Sequence, residues 1–211
     1  MFITHPAEII FAALRQDCLY VSDHHISKTV SSCFSKLYQI NRVKESFDKE
    51  TLKLLITSLV FSKMLYCSTV WSNNSTQNIN KLRSIQNFAS KIVTNSRKFY
   101  DVTPLHRQLT WFPVKQLLYY RDSVLTYKCF KGLAPKHLVD KFTKRSSINA
   151  RHNRKRDLLH ITLYRTATSQ RTFAYRGTSI WNNLDIDIKQ CVSFQSFKQA
   201  IKGRLLEQVF S

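Results

Sequence analysis

The run Asp48-Lys49-Glu50-Thr51-Leu52-Lys53-Leu54-Leu55-Ile56-Thr57-Ser58-Leu59-Val60-Phe61-Ser62-Lys63-Met64-Leu65-Tyr66-Cys67-Ser68-Thr69-Val70-Trp71 reads either as a membrane span or as a bundle helix. Leu54 to Trp71 is the part that could span, but Lys63 sits at its middle. A central Lys costs about 2.5–3.5 kcal/mol on insertion scales. Thr57, Ser58, Ser62, Ser68 and Thr69 dilute the apolar run further. Leu52, Leu55, Ile56, Leu59, Val60, Met64 and Cys67 instead make one wide apolar face at helical spacing. The stretch therefore reads as a central bundle helix from Lys49 to about Trp71. Asp48 is its expected N-cap, and Glu50 lies in its first turn, where the helix dipole favours a carboxylate.

Similar patterns lie on either side. Ile26, Val30, Cys33, Leu37 and Ile40, with Phe34 and Val43 beside them, predict a helix over 26–44 that Ser22 or Asp23 could cap. After the polar break Ser72-Asn73-Asn74-Ser75, Ser75 should cap a third helix. Its core stripe is Ile79, Leu82, Ile85, Phe88, Ala89, Ile92 and Val93, and Lys81, Arg83, Asn87 and Lys91 lie off that stripe. Between Thr51 and Tyr100 there are seven basic residues and no acidic one. Three antiparallel helices with one basic side are thus the expected first module, residues 23–100, behind a leader of residues 1–22.

Thr103-Pro104 signals another start, a capping Thr with Pro at the first helical position. A longer helix restarts after Trp111-Phe112-Pro113, and Gly132 should stop it, with Pro135 beyond. Residues 101–142 are therefore a helical extension. Residues 143–157 are a basic loop: from Lys141 to Arg156 there are seven Lys/Arg and no Asp or Glu. In residues 158–211, Leu159, Ile161 and Leu163 alternate as a short strand would, and Thr172–Tyr175 could pair with it as a hairpin or ribbon. Ser193 should cap a last helix carrying Phe194, Phe197, Ala200, Ile201, Leu205 and Leu206. The expected fold is mainly α, a helical bundle followed by further helices and a small β hairpin near the C-terminal end.

Composition bounds the function. The 211 residues hold 33 Lys+Arg against 13 Asp+Glu, a net charge of +20, with 43% hydrophobic residues and only three Gly. Such a charge excess points to a polyanion, with binding that weakens steeply as salt rises. The five cysteines are odd in number and widely spaced, without a Cys-x-x-Cys pair. They read as reduced, mostly buried thiols of an intracellular protein, nuclear or cytoplasmic. No Asp-Asp pair is present, and the sole Asp-x-Asp, Asp185-Ile186-Asp187, reads as a turn. Phosphate-cradling glycine loops and Gly-x-Ser-x-Gly elbows are missing. The residues thus point to binding without catalysis, cofactor, metal, small-molecule substrate or membrane.

Candidate phosphate contacts are Lys81, Arg83 and Lys91 on the third helix and Arg151, Arg154, Lys155 and Arg156 in the basic loop. Arg171 and Arg176 follow them. Phe99, Tyr100, Tyr164, Phe173 and Tyr175 lie beside basic residues and could stack on bases.

Seven blocks of the chain resemble the reverse transcriptases of non-LTR (LINE-class, jockey-like) retrotransposons. They are Asp23-His24-His25-Ile26-Ser27-Lys28-Thr29-Val30, Leu65-Tyr66-Cys67-Ser68-Thr69-Val70-Trp71, Lys81-Leu82-Arg83-Ser84-Ile85-Gln86-Asn87 and Leu109-Thr110-Trp111-Phe112-Pro113-Val114. Three more are Tyr127-Lys128-Cys129-Phe130-Lys131-Gly132-Leu133-Ala134-Pro135, Tyr175 to Leu184, and Ser193-Phe194-Gln195-Ser196-Phe197-Lys198. The blocks fall in that family's order over residues 19–211. The resemblance implies the thumb and post-thumb region, which grips template–primer and element RNA while the catalytic palm makes DNA. The family's palm aspartates and its endonuclease have no counterpart here, and residues 1–18 do not match what should precede a thumb. The expectation is a non-catalytic fragment, its reading frame starting inside a degraded copy, that binds RNA or DNA without sequence preference. On that view Lys81, Arg83 and Lys91 line the strand-facing side of the thumb, and Arg151, Arg154, Lys155 and Arg156 form a phosphate clamp. Two alternatives stay open: a remnant that binds polyanions only through its charge, and a part of an intact enzyme whose palm is encoded upstream.

Overall fold

The computed structural model describes residues 18–72, 75–148, 158–161, 165–166 and 170–210, and is mainly α. The leader up to residue 17, the basic run 151–156 and Tyr164 lie outside the described residues. The chain divides into two compact units, up to Leu117 and from Leu118 onward. No helix among the described residues is long and apolar enough to cross a membrane.

In the first unit, α1 spans Cys18–Val43 and ends in a 3-10 turn, Lys44–Ser46. It starts earlier than the apolar pattern predicts, so Asp23 is inside the helix and caps nothing; its carboxylate accepts from Asn78 instead. Helix α2 (Lys49–Ile56) is capped as expected, Asp48 accepting from the amides of Glu50 and Thr51 at 3.1 and 3.3 Å.

The expected unbroken helix to Trp71 does not form. After Ile56 the chain widens into a π-helical turn, Thr57–Phe61, then continues as α3 (Ser62–Met64). The hydroxyls of Thr57 and Ser58 bond back to the carbonyls of Lys53 and Leu54 at 2.7 and 2.8 Å, giving the loosened turn alternative partners. The extra residue rotates the face, so that Val60 and Met64 are buried while Leu59 is 44% exposed. Cys67 then adopts a left-handed conformation (φ 49°), which ends the run before α4, Ser68–Trp71.

Helix α5 (Thr76–Thr94) begins on Ser75, whose hydroxyl accepts from the Asn78 amide at 3.3 Å. It ends at Asn95, in the left-handed region at φ 50°. The next start signal is Asp101, whose carboxylate accepts from the Thr103 amide at 3.3 Å; Thr103 is itself the first residue of α6 (Thr103–Leu109) and not its cap. Ile26, Cys33, Leu37, Leu52, Ile56, Val60, Met64, Leu82, Ile85 and Ala89 are buried and form the core of this unit.

Helix α7 runs Val114–Phe130. Its stop is the expected one: Gly132 has φ 70°, and the amides of Gly132 and Leu133 bond back to the carbonyls of Cys129 and Lys128. Short helices α8 (Lys136–Val139) and α9 (Arg145–Ile148) follow, then α10 (Phe173–Asn183), α11 (Ile186–Lys189) and α12 (Phe194–Phe210). Ser193 caps α12, accepting from the Ser196 amide at 3.0 Å. The second unit closes around aromatic rings: Tyr127 stacks on Phe197 at 4.2 Å, and Phe130 on Trp181 at 4.2 Å.

The expected hairpin is absent from the described residues. Phe173–Tyr175 are the first turn of α10. Leu159 pairs instead with Lys144, in an isolated antiparallel bridge. The side chain of Asn182 completes the pairing: it accepts from the Leu159 amide at 2.9 Å and donates to the Leu159 carbonyl at 3.0 Å, as a neighbouring strand would. Leu159 thus pairs, but with partners remote in sequence.

Candidate nucleic-acid interface

Helices α1 and α5 run side by side in the same direction. Asn78 Nδ2 donates to Asp23 Oδ1 (2.5 Å), and Lys81 Nζ donates to Ser27 Oγ (3.4 Å). Further on, the Phe88 ring lies 6.1 Å from Phe34 and 5.3 Å from Tyr38. Beyond that, Lys44 Nζ donates to Asn95 Oδ1 at 2.6 Å. The numbers on the two helices climb together, which only parallel neighbours allow. Between them in sequence, α2, the π turn and α3 return in the opposite sense: Cys33 Sγ reaches the Val60 carbonyl (3.7 Å) and Lys63 Nζ the Ser32 hydroxyl (2.6 Å).

Past Asp23 at its start, this seam is cationic. From His24 to Lys44, and along all of α5, no Asp or Glu occurs. Asp23, at the seam's start, is engaged by Asn78. With about 100° per residue, Lys81 and Phe88 fall on one side of α5. Arg83 follows Lys81 by two residues and so faces about the opposite way; it is exposed there. Lys91 falls between them, about 80° from Lys81 and about 80° from Arg83, and of the three only Lys81 is tied to α1, through Ser27. Lys91 Nζ donates to the Lys98 carbonyl, which ties the segment after α5 to its last turn. That segment presents Arg97, Lys98, Phe99 and Tyr100 to solvent, with Lys98 Nζ 5.7 Å from the Phe99 ring centre.

The remaining candidates lie in the second unit or outside the described residues. Arg176 is engaged internally, by a buried ion pair with Asp122 and by the carbonyl of Arg171. Arg171 is exposed just before α10. Arg151, Arg154, Lys155 and Arg156 are outside the described residues, though the bridge between Lys144 and Leu159 brings together the two stretches that flank them. Of the rings, Phe173 meets Phe142 edge-on at 5.5 Å and Tyr175 is half-buried.

Asp185 pairs with Arg204 at 2.6 Å, consistent with a structural role for the Asp-x-Asp turn. No group of three His, Cys, Asp or Glu that could hold a metal ion occurs among the described residues. Burial pushes the Cys129 thiol up to about 11 and raises that of Cys33, so neither is a ready thiolate.

Sequence reasoning missed the Phe34, Tyr38 and Phe88 cluster as a surface feature. It assigned Phe34 and Phe88 to core stripes. The spacing of Phe34 and Tyr38, one turn apart at the edge of the α1 stripe, was the available signal. No family model, curated protein or solved structure matches the chain.

Proposed function

We propose that the chain is a non-catalytic piece of a non-LTR-type reverse transcriptase that binds RNA or DNA without sequence preference, inside the cell. The seam of α1 and α5, free of acidic residues past Asp23, carries this reading. A phosphate backbone laid along it past Asp23 meets Lys81, Lys91 and Arg42 and no carboxylate. The helical bundle over 23–100 is also what resemblance to a thumb implies. Arg176 is left out of the contact surface because its guanidinium is held by Asp122.

The competing reading is a remnant that attracts polyanions only through its net charge of +20. Polarisation titrations of the chain across a salt series separate the two. Replacing Arg42, Lys81 and Lys91 by Ala should flatten the log-affinity versus log-salt slope by about 2–3, because each phosphate contact contributes about 0.7–0.9. Replacing the exposed Lys136, Lys141 and Lys202 should change it much less. Equal effects of the two triple substitutions would favour the charge-only remnant.

A further inference from the structure

We infer that Tyr38, backed by Phe88 and Phe34, is a stacking platform for an unpaired nucleobase, which makes single-stranded nucleic acid the substrate class of the α1–α5 seam. The inference rests on the nucleic-acid reading above and adds what that surface distinguishes.

The three rings form a closed set, with centroids 6.3 Å apart for Phe34 and Tyr38, 6.1 Å for Phe34 and Phe88, and 5.3 Å for Tyr38 and Phe88. Phe34 and Phe88 are half-buried, while Tyr38 is 58% exposed. Its sequence neighbour Leu37 is fully buried, so the backbone beneath the ring is fixed by the core. A ring held by two others presents its outer surface with little freedom left to lose on binding. Phe99 contrasts with it: it is 92% exposed, and its described contact is a lysine, not another ring.

The charges suit a strand whose base is turned inward. Lys81 precedes Phe88 by seven residues, about 10 Å along the helix, and Lys91 follows it by three, about 4.5 Å. Arg42 lies one turn past Tyr38 on α1 and is exposed. Cations therefore stand on both sides of the rings, where the phosphates flanking a stacked nucleotide would pass. Ser27, Ser31, Ser35 and Ser84 are exposed along the same two helices and offer hydroxyl donors. A duplex keeps its base faces inside its own stack, so only an unpaired base can use the platform. Stacking is tolerant of sequence because every base has a π-face.

The test is a polarisation titration of the full chain at one moderate salt concentration, with oligo(U) and with a duplex of equal length. Tyr38→Ala should weaken oligo(U) binding by about 5- to 150-fold and leave duplex binding within about twofold. Tyr38→Phe and Tyr38→Trp should restore oligo(U) binding and Tyr38→Leu should not, which separates an aromatic face from the hydroxyl and from apolar bulk. Equal weakening on both ligands, or no weakening on oligo(U), overturns the inference. The Arg42, Lys81 and Lys91 triple-Ala chain keeps the two readings apart. If it weakens both ligands while Tyr38→Ala weakens neither, the seam binds nucleic acid and the platform is wrong. If it binds both as the parent does, the nucleic-acid reading falls and the platform with it.

Discussion

Arg176 holds Asp122 with two donors on one oxygen: its Nε and Nη2 lie 3.3 and 3.2 Å from Oδ2. The carboxylate is only 5% exposed and the guanidinium side chain 13%. Removing either partner leaves the other charge buried. Arg176→Ala or Asp122→Ala should therefore destabilise the second unit by about 3–5 kcal/mol. Urea titration followed by Trp181 fluorescence would show it, since Trp181 is buried in that unit. The salt slope of nucleic-acid binding should stay unchanged under folding conditions; a lower slope for Arg176→Ala would return this residue to the contact surface.

Gly177 sits where helix α10 has no room for a side chain. A Cβ there would lie 2.7 Å from Thr126 Oγ1 and 2.9 Å from the Phe142 ring. Gly177→Ala should cost about 1–3 kcal/mol by overpacking, although alanine favours helix elsewhere. Adding Thr126→Ala should recover part of the loss. A double-mutant cycle with no coupling between the two positions would refute the close approach.

His106 gives the first unit a pH dependence. Burial lowers its pKa, with Asp101 partly opposing, and its Nε2 has no hydrogen-bond partner among the described residues. The unfolded chain then takes up a proton near pH 6.5, before the folded one does. Stability is full above about pH 6.5 and falls as the pH drops below it, towards the lowered folded value. The half-buried His25, also lowered chiefly by burial, acts in the same direction. The thermal midpoint should decline between pH 7 and pH 5, and His106→Leu should flatten that decline. An identical pH profile in the variant would exclude His106 as the source.

Asn182 serves as a strand edge for Leu159 through two bonds of 2.9 and 3.0 Å. Asn182→Asp keeps the shape and the acceptor but cannot donate to the Leu159 carbonyl. It should lose about 1–3 kcal/mol, approaching the effect of Asn182→Ala. Hydrogen exchange at the Leu159 amide reads the other bond, and protection that survives Asn182→Ala would show that the amide does not depend on it.

These residues also show what the sequence could and could not tell. Asp48, Ser75, Ser193 and Gly132 were readable because cap and stop chemistry acts within a few residues. The helical periods were readable for the same reason. The partners of Leu159 were not, because Lys144 and Asn182 are distant along the chain. Left-handed turns at Cys67 and Thr110 carry no glycine signal. Basic character in the third helix was plain from its sequence, yet the spread of Lys81, Lys91 and Arg83 around it, in steps of about 80°, needed the helical angle to be followed residue by residue. Recognising the ring cluster required knowing that α1 and α5 pack side by side with Phe88 level with Phe34 and Tyr38, which no local pattern records.

The π turn at Thr57–Phe61 holds one residue more than an α-helix of the same rise. The chain thus carries, in its central helix, what amounts to an insertion already absorbed. Leu59, outward-facing, is the residue whose loss the fold should forgive. Deleting it would let the turn close to ordinary α geometry while Ile56 and the residues from Val60 onward keep their inward side. Deleting Leu55, one turn earlier, would swing the buried residues out of register. Circular dichroism and thermal melts of the two deletion chains would tell a spare residue from a necessary one.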